Sequence, residues 1–491
     1  MFAPAVLIAG LAIARPVPAQ ELFPDLAIGR SCRTFLEQRV LDNGNGFVLG
    51  HLYYAEDSAT KRNACGWSNR SPLAAFNACR KQTEKGRLSA PCFPVVRDSI
   101  AIARSYADAM SRAPGSELGA AEDPLRCGQE PGDRWSWLER GYCDLPRHGP
   151  GKAHGVILWN HGIAGTTVQH TAPPAAAMRM LQTRGWDVIA IKRHNLGESA
   201  QSYRRGEERT LEEVRAQRAL GYKKVVVAGQ SFGGRVALEV ARATEDIFAI
   251  VAMAPGMETT VGNTRDQAPT DQRIAEAKVE RMVVVYPAHD TLFGSVDRGR
   301  TSRPILARRA KPYLLFDESA GLSGHGGGAG ATFAMRYGLC LARFLSATEV
   351  PAGRFECNDA SDVVTAVREL LPARPPVLAA ADSESFAGTW YGLLGETLIA
   401  VSPVRAPGSA APGVLYRSVS ASGGSGAVHP MKVERGVITF NLANKSTVTM
   451  RPVATGSMAV TWQTAQPQQS NFSMLTTTIT KLEGDFQRLP D

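Results

Sequence analysis

Residues Lys224 to Ala243 read KVVVAGQSFGGRVALEVARA. The β-branched run Lys224–Ala228 predicts a buried strand, and RVALEVARA, from Arg235, has the apolar spacing of a helix with one packed face. Between them Gly229-Gln230-Ser231-Phe232-Gly233 must turn the chain sharply from strand to helix. Such a turn forces its middle residue into strained backbone and lifts Ser231 Oγ above the sheet edge; only small neighbours fit around it, hence glycine two positions before and after. The helix that starts there aims its first N–H groups at the same point. Ser231 is therefore the candidate nucleophile, and the Phe232 backbone N–H a candidate donor to an oxyanion.

The pattern continues on both sides of this turn. Short apolar runs at Gly155–Trp159, Asp187–Ile191, Phe248–Met253, Met282–Tyr286 and Tyr313–Phe316 alternate with helical patterns at Pro173–Thr183, Thr210–Leu220, Gly234–Ala243 and Ala331–Leu345. Strands apolar throughout and separated by helices predict an α/β fold, a doubly wound and mostly parallel sheet covered on both faces. Ligands bind beyond the carboxyl ends of such strands, so chemistry belongs just after these runs.

Gly-x-Ser-x-Gly in a strand–turn–helix context resembles the nucleophile elbow of the α/β-hydrolase superfamily, with a core like that of serine esterases, dienelactone hydrolases or peptidases. The resemblance implies a triad in the order Ser, acid, His. Asp290, in the loop after Met282–Tyr286, and His325, in DESAGLSGHGGG after Tyr313–Phe316, match that order and placement. His325 would take the proton of Ser231, and Asp290 would hold the imidazole in the required tautomer. Asn160-His161-Gly162-Ile163 is similar to the family's His-Gly-x segment, which assigns a second oxyanion N–H to Ile163 and a structural part to His161. Arg193–Ser199 echoes another turn of the family but departs from it at Asn195-Leu196, so it is read as scaffold. The rivals are Glu258, held as the reserve acid, Asp317 and Glu318 at the end of the last strand, and His289, which precedes that strand. The connection between Pro255 and Arg281 is short for an inserted cap, and its polar Thr259–Ala268 stretch and Arg281 suggest a shallow site rather than a long apolar tunnel.

Six of the eight cysteines lie between Cys32 and Cys143. An even, clustered set points to disulfides and an oxidising compartment. Met1–Gln20 (MFAPAVLIAGLAIARPVPAQ) has the apolar core and small-residue end of a secretory leader cleaved after Ala19, although no Lys or Arg precedes the core. A secreted or periplasmic protein is expected. The piece Ala64–Val96 resembles a small Cys-paired helix-and-strand unit of secreted bacterial proteins, with Ser71 capping a helix Pro72–Lys81. That resemblance implies a Cys79–Cys92 bridge; proximity suggests Cys127–Cys143 and Cys340–Cys357, leaving Cys32 with Cys65, and the sequence leaves the pairing open.

After the Pro-rich Leu371–Pro376, alternating Thr/Val-rich segments at Thr397–Val401, Val414–Val419, Val437–Leu442, Thr447–Arg451, Met458–Gln463 and Met474–Thr480 predict an antiparallel sandwich or barrel. Gly388-Thr389-Trp390 resembles the opening of lipocalin-type barrels, with Trp390 expected to plug one end of a β core. The chain thus divides into a leader (1–19), a Cys-rich region (20–147), a catalytic α/β domain (151–347), a linker (348–380) and a β domain (381–491). The charge of +9 comes from 43 Arg and 12 Lys spread along the chain rather than gathered in a stripe, which gives no nucleic-acid footprint. No zinc-type Cys/His spacing, phosphate loop, metal or organic cofactor is indicated, and no run reaches transmembrane length. The sequence reads as a secreted serine hydrolase cleaving a carboxylic ester. A serine peptidase on the same fold and a non-catalytic polymer- or surface-binding protein are the alternatives, and the oligomeric state is open.

Overall fold

The structure is a computed structural model. It describes residues 23–490 except 24, 41–49, 70–71, 98, 112–137, 141–144, 146, 163–173, 192–200, 257–266, 291, 293–297, 358–361, 372–373, 375–377, 381–385, 406–411, 421–422, 443–444 and 471–476. The leader, the cap position Ser71, the Cys127–Cys143 pair, Ile163, Arg193–Ser199 and Glu258 lie outside the described residues.

The first part holds helix α1 (Arg30–Val40), strands β1 (His51–Glu56) and β2 (Asn63–Ser68), helix α2 (Pro72–Gly86), strands β3 (Phe93–Arg97) and β4 (Ile100–Ala101), and helix α3 (Tyr106–Ser111). Its antiparallel sheet has the order β2-β1-β3-β4. Disulfides Cys32–Cys65 and Cys79–Cys92 tie α1 to β2 and α2 to the approach to β3.

The second part is built on an eight-stranded sheet: β5 (Leu138–Arg140), β6 (Gly155–Asn160), β7 (Trp186–Ile191), β8 (Val225–Gln230), β9 (Ala249–Met253), β10 (Arg281–Val285), β11 (Pro312–Phe316) and β12 (Gly353–Arg354). The spatial order is β12-β11-β10-β9-β8-β6-β7-β5. Seven strands run parallel, and β5 pairs antiparallel at one edge. Alternate residues feed two separate cores. Ile157, Trp159, Val226 and Ala228 face helices α4 (Ala176–Thr183), α9 (Ala331–Ser346) and α10 (Asp362–Leu370), whereas Val156, Leu158, Val225 and Val227 face α5 (Gln201–Ala219), α6 (Phe232–Ala243), α7 (Ala268–Glu276) and α8 (Arg298–Arg308). The sheet is doubly wound, as the apolar runs predict. Stretch 348–380 carries structure of its own: β12 joins the sheet, the Cys340–Cys357 disulfide anchors it to α9, and Ala366, Val367 and Leu370 of α10 enter the core.

After a two-residue strand β13 (Ala379–Ala380), β14 (Thr389–Leu394) to β21 (Thr477–Leu489) form an antiparallel meander that closes when β14 pairs with β21. The third part is thus an eight-stranded barrel. Trp390 is buried in its interior, stacked on Phe386 at 6.2 Å. The barrel's outer face is also apolar. Tyr391, Leu398, Ala400 and Val419 pack into one core of the parallel sheet, while Leu378, just before β13, and Val404, Leu415 and Val428 complete the core of the disulfide-bonded part. The barrel therefore packs against both of the other parts.

Candidate active site

Strand β8 delivers Gly229-Gln230-Ser231 to the carboxyl edge of the sheet, beside the point where the strand order reverses around β6. Ser231 has φ 58° and ψ −116°, a conformation that L-residues adopt only under strain, and it is the cap residue of α6. Packing imposes it: a Cβ on Gly233 would lie 1.8 Å from the Asn160 carbonyl oxygen, and one on Gly229 would meet the Gly233 backbone at 2.3 Å. Three hydrogen bonds hold the turn, from Ser231 N to Met253 O (2.8 Å) and to Ser231 O from Arg235 N (3.1 Å) and Gly256 N (2.9 Å). Two more non-glycine residues with positive φ, Ala254 and His289, follow neighbouring strands β9 and β10. Three of the nine described non-glycine residues with positive φ thus lie along this one edge.

Asp290 and His325 meet there. His325 Nδ1 lies 3.1 Å from both carboxylate oxygens of Asp290. The two loops are laced together through the backbone, Ala288 N donating to Leu322 O (2.8 Å) and Gly324 N to Ala288 O (2.7 Å). Gln230, the residue before Ser231, donates from Nε2 to the His325 carbonyl at 3.1 Å. One side chain therefore ties the His325 backbone to the Ser231 turn. Ser231 and Asp290 are 4% and 3% exposed. The segment after β6 approaches as well: a Cβ on Gly162 would lie 3.3 Å from Ser231 Cβ. His161 is buried, its Nδ1 2.8 Å from the Gly162 carbonyl, as expected of a residue that shapes this loop.

The rivals are otherwise engaged. Asp317 caps the short helix Glu318–Ala320, accepting from Ser319 N and Oγ, and pairs with Arg303. Burial pushes its carboxyl up, but those donors outweigh it and leave the pKa below the usual value. Glu318 and His289 are exposed. Arg281 corrects the argument drawn from it. It is buried at the start of β10, stacks on Phe248 and Phe344, and donates to the Phe344 and Thr348 carbonyls, so it lines no substrate site.

Gln230 and Arg298 are the residues that the sequence reading missed. Arg298, 4% exposed, lies with Nη1 3.7 Å from Asp290 Oδ2. Its only sequence signal is a position eight residues after the candidate acid, in an Arg-rich run that reads as a solvated surface. Among the described residues no group of three His, Cys, Asp or Glu could hold a metal ion.

A central strand ending in a strained serine, with acid and histidine following the second and third strands along the sheet, is the layout of the α/β-hydrolase fold, here joined to a disulfide-bonded region and a β-barrel. No family model matches the chain, and no curated protein matches it in sequence. Among solved structures the chain is similar to an esterase of Pyrococcus furiosus, at 13% identity over 40% of this chain and 82% of that one, with a TM-score of 0.30. It is also similar to a Xanthomonas campestris protein described as a hydrolase of the α/β superfamily, at 21% identity over 40% and 96%, TM-score 0.26. A third is a Mycobacterium tuberculosis puromycin-hydrolysing peptidase, at 14% identity over 44% and 39%, TM-score 0.32. At such scores the likeness bears on neither substrate nor mechanism.

Proposed function

We propose that the chain is an exported serine hydrolase that cleaves a carboxylic ester through an acyl-enzyme on Ser231. The observation that carries the proposal is the His325–Asp290 pair, held by Gln230 against the strained Ser231 turn. In this reading Ser231 Oγ attacks the ester carbonyl while its proton passes to His325 Nε2, with Nδ1–H donating to Asp290. The oxyanion is met by the backbone N–H of Phe232 at the start of α6 and by that of Ile163. Collapse breaks the carbon–oxygen bond, the imidazolium protonates the leaving alkoxide, and water then enters by the same base to release the acid and restore Ser231.

Export is supported by three disulfides between described cysteines and by the Met1–Gln20 composition; no described helix is long and apolar enough to cross a membrane. Fluorophosphonate labelling tests the enzyme reading. The expected result is one adduct on Ser231 and turnover of p-nitrophenyl acetate, both lost in Ser231→Ala. Absence of both from the folded wild-type protein would favour a binding protein on a hydrolase scaffold, and faster cleavage of peptide amides than of short esters would replace the ester reading with a peptidase.

A further inference from the structure

Arg298 stands at the first turn of α8, pointing into the protein. Its guanidinium reaches both the Asp290 loop and the Pro255–Gly256 segment beneath Ser231. Nη1 is 3.7 Å from Asp290 Oδ2, and Nη2 donates to the Pro255 carbonyl at 2.7 Å. The next residue, Gly256, gives its N–H to Ser231 O. Nε donates to Gln267 Oε1 at 2.7 Å, and the plane lies 4.5 Å above the Tyr286 ring at the end of β10. The remaining groups around it form a closed polar set. Gln267 Nε2 lies 3.1 Å from Asp271 Oδ1, 3.0 Å from Tyr286 Oη and 3.2 Å from Ser302 Oγ. A buried arginine costs several kcal/mol in lost hydration unless paired, so solvation alone does not explain a charge in this place.

We infer that Arg298 is a positioning residue for the hydrolysis proposed above: it ties Asp290 to the Pro255–Gly256 segment that holds Ser231, and so fixes the acid relative to the serine's turn. The inference rests on the triad reading. Without the guanidinium, Asp290 loses this ion pair and the buried Pro255 carbonyl and Gln267 Oε1 lose a donor.

The test is kcat and KM for a p-nitrophenyl ester in wild type, Arg298→Gln and Arg298→Lys, with folding checked by circular dichroism and Ser231 labelling followed in parallel. In Arg298→Gln kcat should fall about ten-fold or more with KM within about two-fold, and Ser231 labelling should slow in step. Arg298→Lys keeps a charge beside Asp290 but cannot also hold both Pro255 O and Gln267 Oε1, so its kcat should fall less, by about three-fold. An unchanged kcat in Arg298→Gln, or a loss of kcat matched by an equal rise in KM, overturns the inference; should the Gln variant not fold, an unchanged kcat in Arg298→Lys overturns it. A wild-type protein that neither labels nor turns over contradicts the hydrolase reading itself, whatever the variants do.

Discussion

Ser231 keeps its strained dihedrals because Gly229 and Gly233 let strand, helix and the Asn160 carbonyl meet at distances that no side chain permits. Gly233→Ala should therefore cost about 1–3 kcal/mol by overpacking, or prevent folding, and urea unfolding measures it; a neutral effect would mean that the turn is looser than it looks. Asp290 accepts from His325 and from Leu292 N. Asp290→Asn should leave the fold intact and lower kcat by about 10²–10⁴, because the amide no longer selects the tautomer that frees Nε2; steady-state kinetics at fixed pH shows this, and an unchanged kcat would remove Asp290 from the account. The strained turn at Ser231 and the meeting of Asp290 with His325 were legible because a local turn motif and the order of elements carry them. Gln230 and Arg298 were not, since each matters through a tertiary approach that leaves no local pattern. Arg281 was misread for a related reason: charge in a sequence suggests solvent, and here two aromatic rings and two carbonyls enclose it.

Among the elements, the long apolar strands were readable from composition, whereas β5 and β12, three and two residues long, are too short to show a pattern. Helix α8 was hidden by four arginines and an internal Pro304, and β17 (Gly423–Glu434) opens Gly-Gly-Ser-Gly, which reads as a loop. The hairpin joining β14 to β15 (Thr397–Arg405) makes a contact that neither strand announces. The carbonyl of Glu396 accepts from Ala331 N at 3.1 Å, its carboxylate accepts from Thr332, and it crowds Gly330 so closely that a Cβ there would lie 2.2 Å from Oε2. Helix α9 begins at that point, directly after the His325 loop. Glu396→Ala should loosen the loop, lowering kcat several-fold with little change in KM and speeding amide exchange across residues 324–330. Unchanged exchange and kcat would make the hairpin a mere spacer.

For the whole molecule, the barrel is a centrepiece. The core of the disulfide-bonded part is shared with Leu378, Val404, Leu415 and Val428 from the barrel side, a partnership invisible in strand alternation because both faces of β15 and β16 (Gly413–Ser420) are apolar. Inside the barrel His429 stacks on Phe440 and meets Tyr416 edge-on, and burial pulls its pKa down to about 4. The folded state thus binds this proton less well than the unfolded chain, whose histidine titrates near 6.5. Stability is fully present above pH about 6.5 and falls as pH drops from there towards 4, by up to about 2–3 kcal/mol. His429→Phe should flatten that window in a series of thermal melts; an identical acid profile in the variant would show that the imidazole is solvated. The mechanism proposed above puts the acyl group on Ser231. Acid quenching of the wild-type protein during p-nitrophenyl ester turnover, followed by peptide mass mapping, decides this: acylation should be confined to the peptide containing Ser231 and absent from Ser231→Ala, and turnover without that adduct, or at an undiminished rate in Ser231→Ala, would rule the mechanism out.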